Sequence, residues 1–280
     1  MMNAMDPLAI FHPIVREWFE RRFTAPTEAQ TLGWPAIAGG EHTLIAAPTG
    51  SGKTLAAFLL CIDRLLRAGI RGELPDAAQV AYVSPLKALS NDIHRNLSQP
   101  LEEISLMAKE RGLTLPDIRI AVRTGDTPAH ERQARARKPP HIWITTPESL
   151  YILLTSESGR RGLSGVHTLI LDEIHSIAGN KRGSHLALSV ERLCALTGKP
   201  ITRIGLSATM HPVGEAARFL VGAAAMDSDG TPHCTVIDAG HARAMDLQVE
   251  MPDMELGPIA TLELWEETVA RIASLIREQR

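Results

Sequence analysis

Residues 46–54 read AAPTGSGKT, residues 172–175 read DEIH and residues 207–209 read SAT. A phosphate-binding loop needs backbone N–H groups turned inward around oxygen atoms. Gly50 and Gly52 permit that turn because they lack a Cβ, and Lys53 brings a positive charge to the phosphates. Pro48, Thr49 and Ser51 complete the loop, and Thr54 would place its hydroxyl on Mg2+. Asp172 and Glu173 follow the apolar run VHTLIL, where a buried carboxylate pair is costly unless a cation or hydrogen bonds compensate. A metal-bound nucleotide supplies that cation. Asp172 would then hold Mg2+ through water and Glu173 would polarise the water that attacks the γ-phosphate. The competing reading of an isolated Asp-Glu pair is a helix cap, which the phosphate loop upstream disfavours. His175 is placed to sense a γ-phosphate and to hydrogen-bond toward Ser207 or Thr209.

These residues need a scaffold that brings them together. Apolar runs at 43–47, 79–83, 118–122, 141–145, 166–171 and 202–206 read as strands, with TVID at 235–238 as a further short one. Helical patterns near 53–67, 87–97, 127–137, 147–154, 184–197 and 214–221 fall between or after them, and Gly69 is expected to end the first. That alternation predicts an α/β fold, a mainly parallel sheet with helices on both faces. Ligands in such sheets gather at the carboxyl ends of strands, and all three motifs begin at such an end. Beyond residue 222 the pattern weakens to a loop, a linker holding the strand-like LQVEM, and a helical pattern at 262–280.

With 280 residues and 44% hydrophobic content the chain can build a large core, and a net charge of −3 excludes a globally basic nucleic-acid coat. Contacts to phosphates must therefore be local. The basic run Arg132, Arg135, Arg137, Lys138 reads first as a solvated face and only second as such a contact. Cys61, Cys194 and Cys234 are far apart in the chain, which favours buried free thiols over a disulfide framework or zinc site. No apolar run has the length of a membrane span, so a cytoplasmic protein making no membrane contact is expected. Trp18, Trp34 and Trp143 are expected in the core.

Longer strings carry a family resemblance: FTAPTEAQTLGWPAI (23–37), APTGSGKTLAAFL (47–59), YVSPLKALSNDI (82–93), RTGDT (123–127), TTPESLYILL (145–154), LDEIHSIAGNKRGSHLALSVERL (171–193) and LSATM (206–210). Together they resemble the DExH group of superfamily 2 helicases, most closely the large helicase-related (Lhr) proteins. Ala47, where the strict phosphate-loop pattern has glycine, agrees with that group. A small-molecule kinase with a phosphate loop would lack the set formed by Gln30, SPLKAL, TTPES and SAT.

The resemblance implies a RecA-like ATP-binding domain over 1–240, with 241–280 as a linker and the start of a second such domain. It implies ATP and Mg2+ as cofactors, and Gln30 as reader of the adenine edge. Pro85, Lys87, Thr124, Gly125, Thr146 and Pro147 would touch the backbone of single-stranded DNA or RNA. Small polar groups and exposed amides suit tracking without sequence preference. Arg182, in KRG at 181–183, would fix its loop against the ATP site, unless the segment is only a turn. Family members act mainly on DNA or DNA–RNA hybrids with 3′-to-5′ polarity. The expected organisation is a monomer whose facing arginine-bearing wall comes from a second RecA-like domain that these residues do not complete, so weak binding and poor turnover of Mg-ATP are expected of them alone.

Overall fold

Seven short strands carry the apolar runs: β1 (Thr43–Ala46), β2 (Val80–Val83), β3 (Ile120–Arg123), β4 (Ile142–Thr145), β5 (Thr168–Leu171), β6 (Thr202–Ser207) and β7 (Thr235–Asp238). They come from a computed structural model that describes residues 6–85, 93–125, 127–128, 138–210, 212–240 and 261–278. The chain divides into two units, Met1–Gly240 and His241–Arg280. Among the described residues these seven strands lie in one sheet of the first unit, in the order β3-β4-β2-β5-β6-β1-β7, and each pairing is parallel.

Alternate strand residues point to opposite faces and so divide the core in two. Ile45, Tyr82, Ile144, Ile170 and Ile204 pack under α1 (Pro13–Arg22), α2 (Glu28–Ala38), α3 (Lys53–Ile70) and α4 (Gln99–Glu110). Leu44, Val83, Trp143, Leu169 and Leu171 pack under the other layer. That layer comprises α5 (Pro147–Thr155), α6 (Glu157–Leu163), α7 (Ile174–Ile177), α8 (Lys181–Thr197) and α9 (Val213–Val221). Burial on both faces explains why the strands read as unbroken apolar runs rather than alternating ones.

One expected helix end is moved, and two expected helices fall partly or almost wholly outside the described residues. Gly69 does not stop α3, which runs through it to Ile70; it lacks a side chain because Pro116 lies where a Cβ would stand, and the chain turns at Gly72, φ +72°. The helix expected at 87–97 falls partly outside the described residues. From Ile93 onward the chain is helical, passing through a π-helical turn (His94–Ser98) into α4, with Pro100, which has no N–H to give, directly after that turn. The helix expected at 127–137 lies almost wholly outside the described residues.

Trp18, Trp34 and Trp143 are buried as expected, and Trp34 donates through Nε1 to the Ala56 carbonyl at 3.1 Å, joining α2 to α3. Cys61 is buried, and burial pushes its thiol up to about 12, whereas Cys194 and Cys234 lie half-buried at the rim of the second core. In the second unit the described element is α10 (Leu262–Glu278), which exposes Leu262, Trp265, Val269 and Ile272. LQVEM lies outside the described residues. Among the described residues, no helix is long and apolar enough to cross a membrane.

Candidate nucleotide and nucleic-acid site

The strand order sorts the motifs along the carboxyl edge of the sheet. β5, β6 and β1 are neighbours, so Asp172, Ser207 and the phosphate loop stand side by side. β3, β4 and β2 form the other half and bring Thr124, Thr146 and Pro85 into a row. Crossing backbone bonds tie the ends down: Ala47 N donates to the Ser207 carbonyl at 3.1 Å, and Asp172 N donates to the Val83 carbonyl at 2.9 Å.

Pro48, Thr49 and Gly50 are exposed at the tip of the phosphate loop, and Gly50 and Gly52 both take left-handed conformations, at φ +83° and +80°. Gly52 starts α3 without a side-chain cap, which leaves the helix amides open for an anion. Lys53 is buried and its Nζ donates to the Pro48 carbonyl at 3.4 Å, closing the loop on itself. The Ser51 hydroxyl is buried without a hydrogen-bond partner, a group that would otherwise carry a penalty of about 1–3 kcal/mol. Thr54 is half-buried in the first turn of α3.

Gln30 sits against this loop. It completes a capping box, with its Oε1 accepting from Thr27 N at 3.0 Å, while its Nε2 donates to the Gly52 carbonyl at 3.4 Å. The Thr27 hydroxyl donates to the Ser51 carbonyl at 2.7 Å. Beside them lies a cleft of about 490 Å³ lined by Trp18, Phe23, Thr27, Gln30, Gly52 and Arg95, among others. Phe23 had no role in the sequence reading. Its signal was an aromatic residue opening the string that contains Gln30.

Asp172 is mostly buried, and burial raises its carboxyl above the ordinary aspartate range against the opposing hydrogen bond from Tyr82. Glu173 is the single non-glycine residue among those described with positive φ, at 52°. A left-handed residue costs about 1–2 kcal/mol, and strain of this kind collects at functional sites. The conformation turns the chain sharply between β5 and α7, with Glu173 N donating to Asp172 Oδ1 at 2.9 Å.

His175 joins the two motifs. Its Nδ1 accepts from Ala208 N at 3.1 Å and lies 3.5 Å from Ser207 Oγ, while its Nε2 lies 3.2 Å from Glu173 Oε2. The amide contact assigns the proton to Nε2, so the ring donates to the Glu173 carboxylate. The expectation named Ser207 or Thr209 as the partner. Contact is made with Ser207 and Ala208, while Thr209 is exposed and packs against Gly240.

On the other half of the edge, Pro85, Thr146 and Pro147 are buried and Thr124 is half-buried, while Gly125 is exposed. The Thr146 hydroxyl is the N-cap of α5, accepting from Ser149 N at 3.4 Å, and Thr124 N donates to Thr127 Oγ1 at 3.0 Å. Lys87 lies outside the described residues. Arg182 does not face the ATP motifs. It lies in the first turn of α8, where Nε donates to Glu148 Oε1 at 2.8 Å and Nη2 to the Pro85 carbonyl at 3.2 Å. It therefore braces the ends of β2 and β4, a long-range contact that a KRG string does not reveal.

The model of the DEAD/DEAH box helicase family matches residues 27–216. The chain belongs to that family. Within it the likeness is to Lhr helicases. The Lhr helicase/probable uracil glycosylase of Mycolicibacterium smegmatis is 47% identical over 274 residues, covering 98% of this chain and 18% of that protein. The ATP-dependent helicase Lhr-Core of Methanothermobacter thermautotrophicus is 50% identical over 252 residues, 90% of this chain and 29% of its own length. The structure of Mycobacterium smegmatis helicase Lhr bound to ssDNA and AMP-PNP aligns with a TM-score of 0.81 at 46% identity, covering 98% of this chain and 33% of that one. The DEAD-box helicase Mss116 bound to ssRNA and UDP-BeF aligns at 0.66 with 18% identity over 82% of this chain and 43% of that one, which shows the shared fold. The chain thus carries an Lhr-like, RecA-like ATP-binding domain, and it spans less than a third of the length of these curated relatives.

Proposed function

We propose that these residues form the ATP-binding half of an ATP-dependent helicase or translocase that tracks single-stranded nucleic acid, with DNA or a DNA–RNA hybrid as its substrate. The observation that carries this reading is the contact chain from Glu173 through His175 to Ala208, which joins a hydrolytic carboxylate to a second strand end. Residues 1–240 are the nucleotide-binding domain, and 241–280 the linker and start of a second RecA-like domain.

The residues present fit Mg-ATP. The uncapped start of α3, buried Lys53 and the unpartnered Ser51 hydroxyl suit a phosphate chain. Thr54 and Asp172 would hold Mg2+, which when bound neutralises charge on the phosphates. Gln30 and the cleft beside Phe23 receive the base, and Gln30 couples it to the loop through Gly52. Glu173 orients the attacking water and takes its proton, and His175 holds the Glu173 carboxylate in place. Lys87 and the amides of Thr124 and Gly125 meet the phosphates of the strand, with Pro85, Thr146 and Pro147 shaping the loops it lies on; the Thr146 hydroxyl is committed to its cap. Likeness to a helicase solved with ssDNA supports that side of the site.

Residues 1–280 supply one side of an ATP cleft, so their turnover alone should be low. The test is ATP hydrolysis by this chain, and by a longer protein in which a second RecA-like domain follows, each with and without single-stranded DNA. Low turnover by the first and stimulated turnover by the second are expected. Vigorous stimulated turnover by residues 1–280 alone would sink the one-sided reading, and an unstimulated longer protein would sink the translocase reading.

A further inference from the structure

Tyr82 is a buried tyrosine in an otherwise apolar strand, VAYV, where phenylalanine would fill the same space. Buried tyrosines find a partner for the hydroxyl, and this one donates to Asp172 Oδ2. The register explains the reach. Tyr82 pairs with Ile170 of β5, and Asp172 lies two residues further on, on the same face. The Tyr82 ring lies 4.9 Å from that of Phe58, which stands one helical turn after Thr54 on the same side of α3. Tyr82 is therefore packed between the helix that begins with Lys53 and Thr54 and the strand that delivers Asp172. With Glu173 N on Oδ1 and the Tyr82 hydroxyl on Oδ2, both carboxylate oxygens are held.

We propose that Tyr82 is a positioning residue for the metal-holding carboxylate: its hydroxyl sets the orientation in which Asp172 meets the cation carried by the nucleotide. The inference rests on the reading of Asp172 as the metal-holding group. Partners that orient a metal ligand typically change metal affinity by about 10–100-fold when removed.

The test is binding of a fluorescent ATP analogue to the full 280-residue chain, titrated with Mg2+. Tyr82→Phe should leave binding without Mg2+ unchanged and raise the half-saturating Mg2+ concentration by about tenfold. Phe58→Leu, which loosens the packing and keeps the hydroxyl, should not move it. An unchanged or lowered Mg2+ requirement in Tyr82→Phe overturns the proposal. Asp172→Asn separates the two readings. If it raises the Mg2+ requirement while Tyr82→Phe does not, Tyr82 alone is misassigned; if it is silent, the metal role of Asp172 falls and that of Tyr82 with it.

A second readout does not require Tyr82→Phe to fold. The chain has two tyrosines, so fluorotyrosine labelling of a Tyr151→Phe chain reports on Tyr82 alone. Its fluorine resonance should shift when Mg2+ is added to the nucleotide-bound protein. A resonance that does not move overturns the proposal.

Discussion

Gly50→Ala and Gly52→Ala, compared side by side, test whether Gln30 is mechanically joined to the phosphate loop. Both glycines lie in the left-handed region at nearly the same φ, +83° and +80°. Alanine at either carries a backbone penalty of about 1–2 kcal/mol, offset by about 0.4–1 kcal/mol because it also stiffens the unfolded chain. Their surroundings differ. A Cβ on Gly50 meets nothing within 4 Å, whereas on Gly52 it would stand 2.6 Å from Gln30 Nε2 and 3.3 Å from Gln30 Cδ. Gln30 is buried and bonded at both ends of its amide, so it cannot retreat without losing the capping box and its bond to the Gly52 carbonyl. With each bond worth about 1 kcal/mol, Gly52→Ala should be the less stable by about 2 kcal/mol. For a unit of this size that is roughly 4–8 °C in the thermal midpoint. Urea and thermal unfolding without nucleotide measure the difference, and thermal shifts with ATP and GTP follow its consequence for base recognition. Gly50→Ala should keep a preference for ATP, and Gly52→Ala should lose it. Equal destabilisation of the two variants, or an intact preference in Gly52→Ala, would refute the linkage.

Arg203→Met should destabilise by about 2–6 kcal/mol in urea melts, about 1–3 kcal/mol for each buried carbonyl left without a donor, because the buried guanidinium donates to the carbonyls of Leu220 and Val221 at 3.1 and 2.7 Å at the end of α9. Its partner Glu191 is 46% exposed, so Glu191→Gln should cost far less. A near-neutral Arg203→Met would contradict this ordering. His42, His141 and His167 are all held below the usual histidine value, chiefly by burial. The unfolded chain takes up these protons first as pH falls, so stability is full above the ordinary value and is lost as pH drops through it toward the folded-state values. Thermal midpoints should therefore decline between about pH 7.5 and about 5.5. His141→Gln, which can still accept from Arg119 N, should flatten part of that slope; a midpoint that rises on acidification would show the sign to be wrong. In the longer protein, His175→Ala should keep nucleotide binding and lose the rise in ATP turnover on adding single strands, and turnover still fully stimulated would remove His175 from the coupling path.

The strands were legible because their burial on both faces forces runs such as TLIA, VAYV and TLIL, and all seven occur where those runs lie. The helix α4 escaped the reading because its start carries a proline that reads as a break, although a π-helical turn leads straight into it. Gly69 misled for the opposite reason. Its lack of a side chain reflects Pro116, distant in sequence, and not a local stop.

By itself the sequence determined the chemistry: which residue types can cradle phosphate, hold a cation or orient water is a property of short strings such as AAPTGSGKT and DEIH. Only the tertiary structure decided which of them act together. The strand order gathers β5, β6 and β1 on one half of the sheet edge and β3, β4 and β2 on the other. It is pairing between strands far apart in the chain that lets Ala208 reach His175, the Tyr82 hydroxyl reach Asp172, and Arg182 reach Pro85. Hydrogen bonds and packing act over a few ångströms in space, and spacing along a chain does not record that distance.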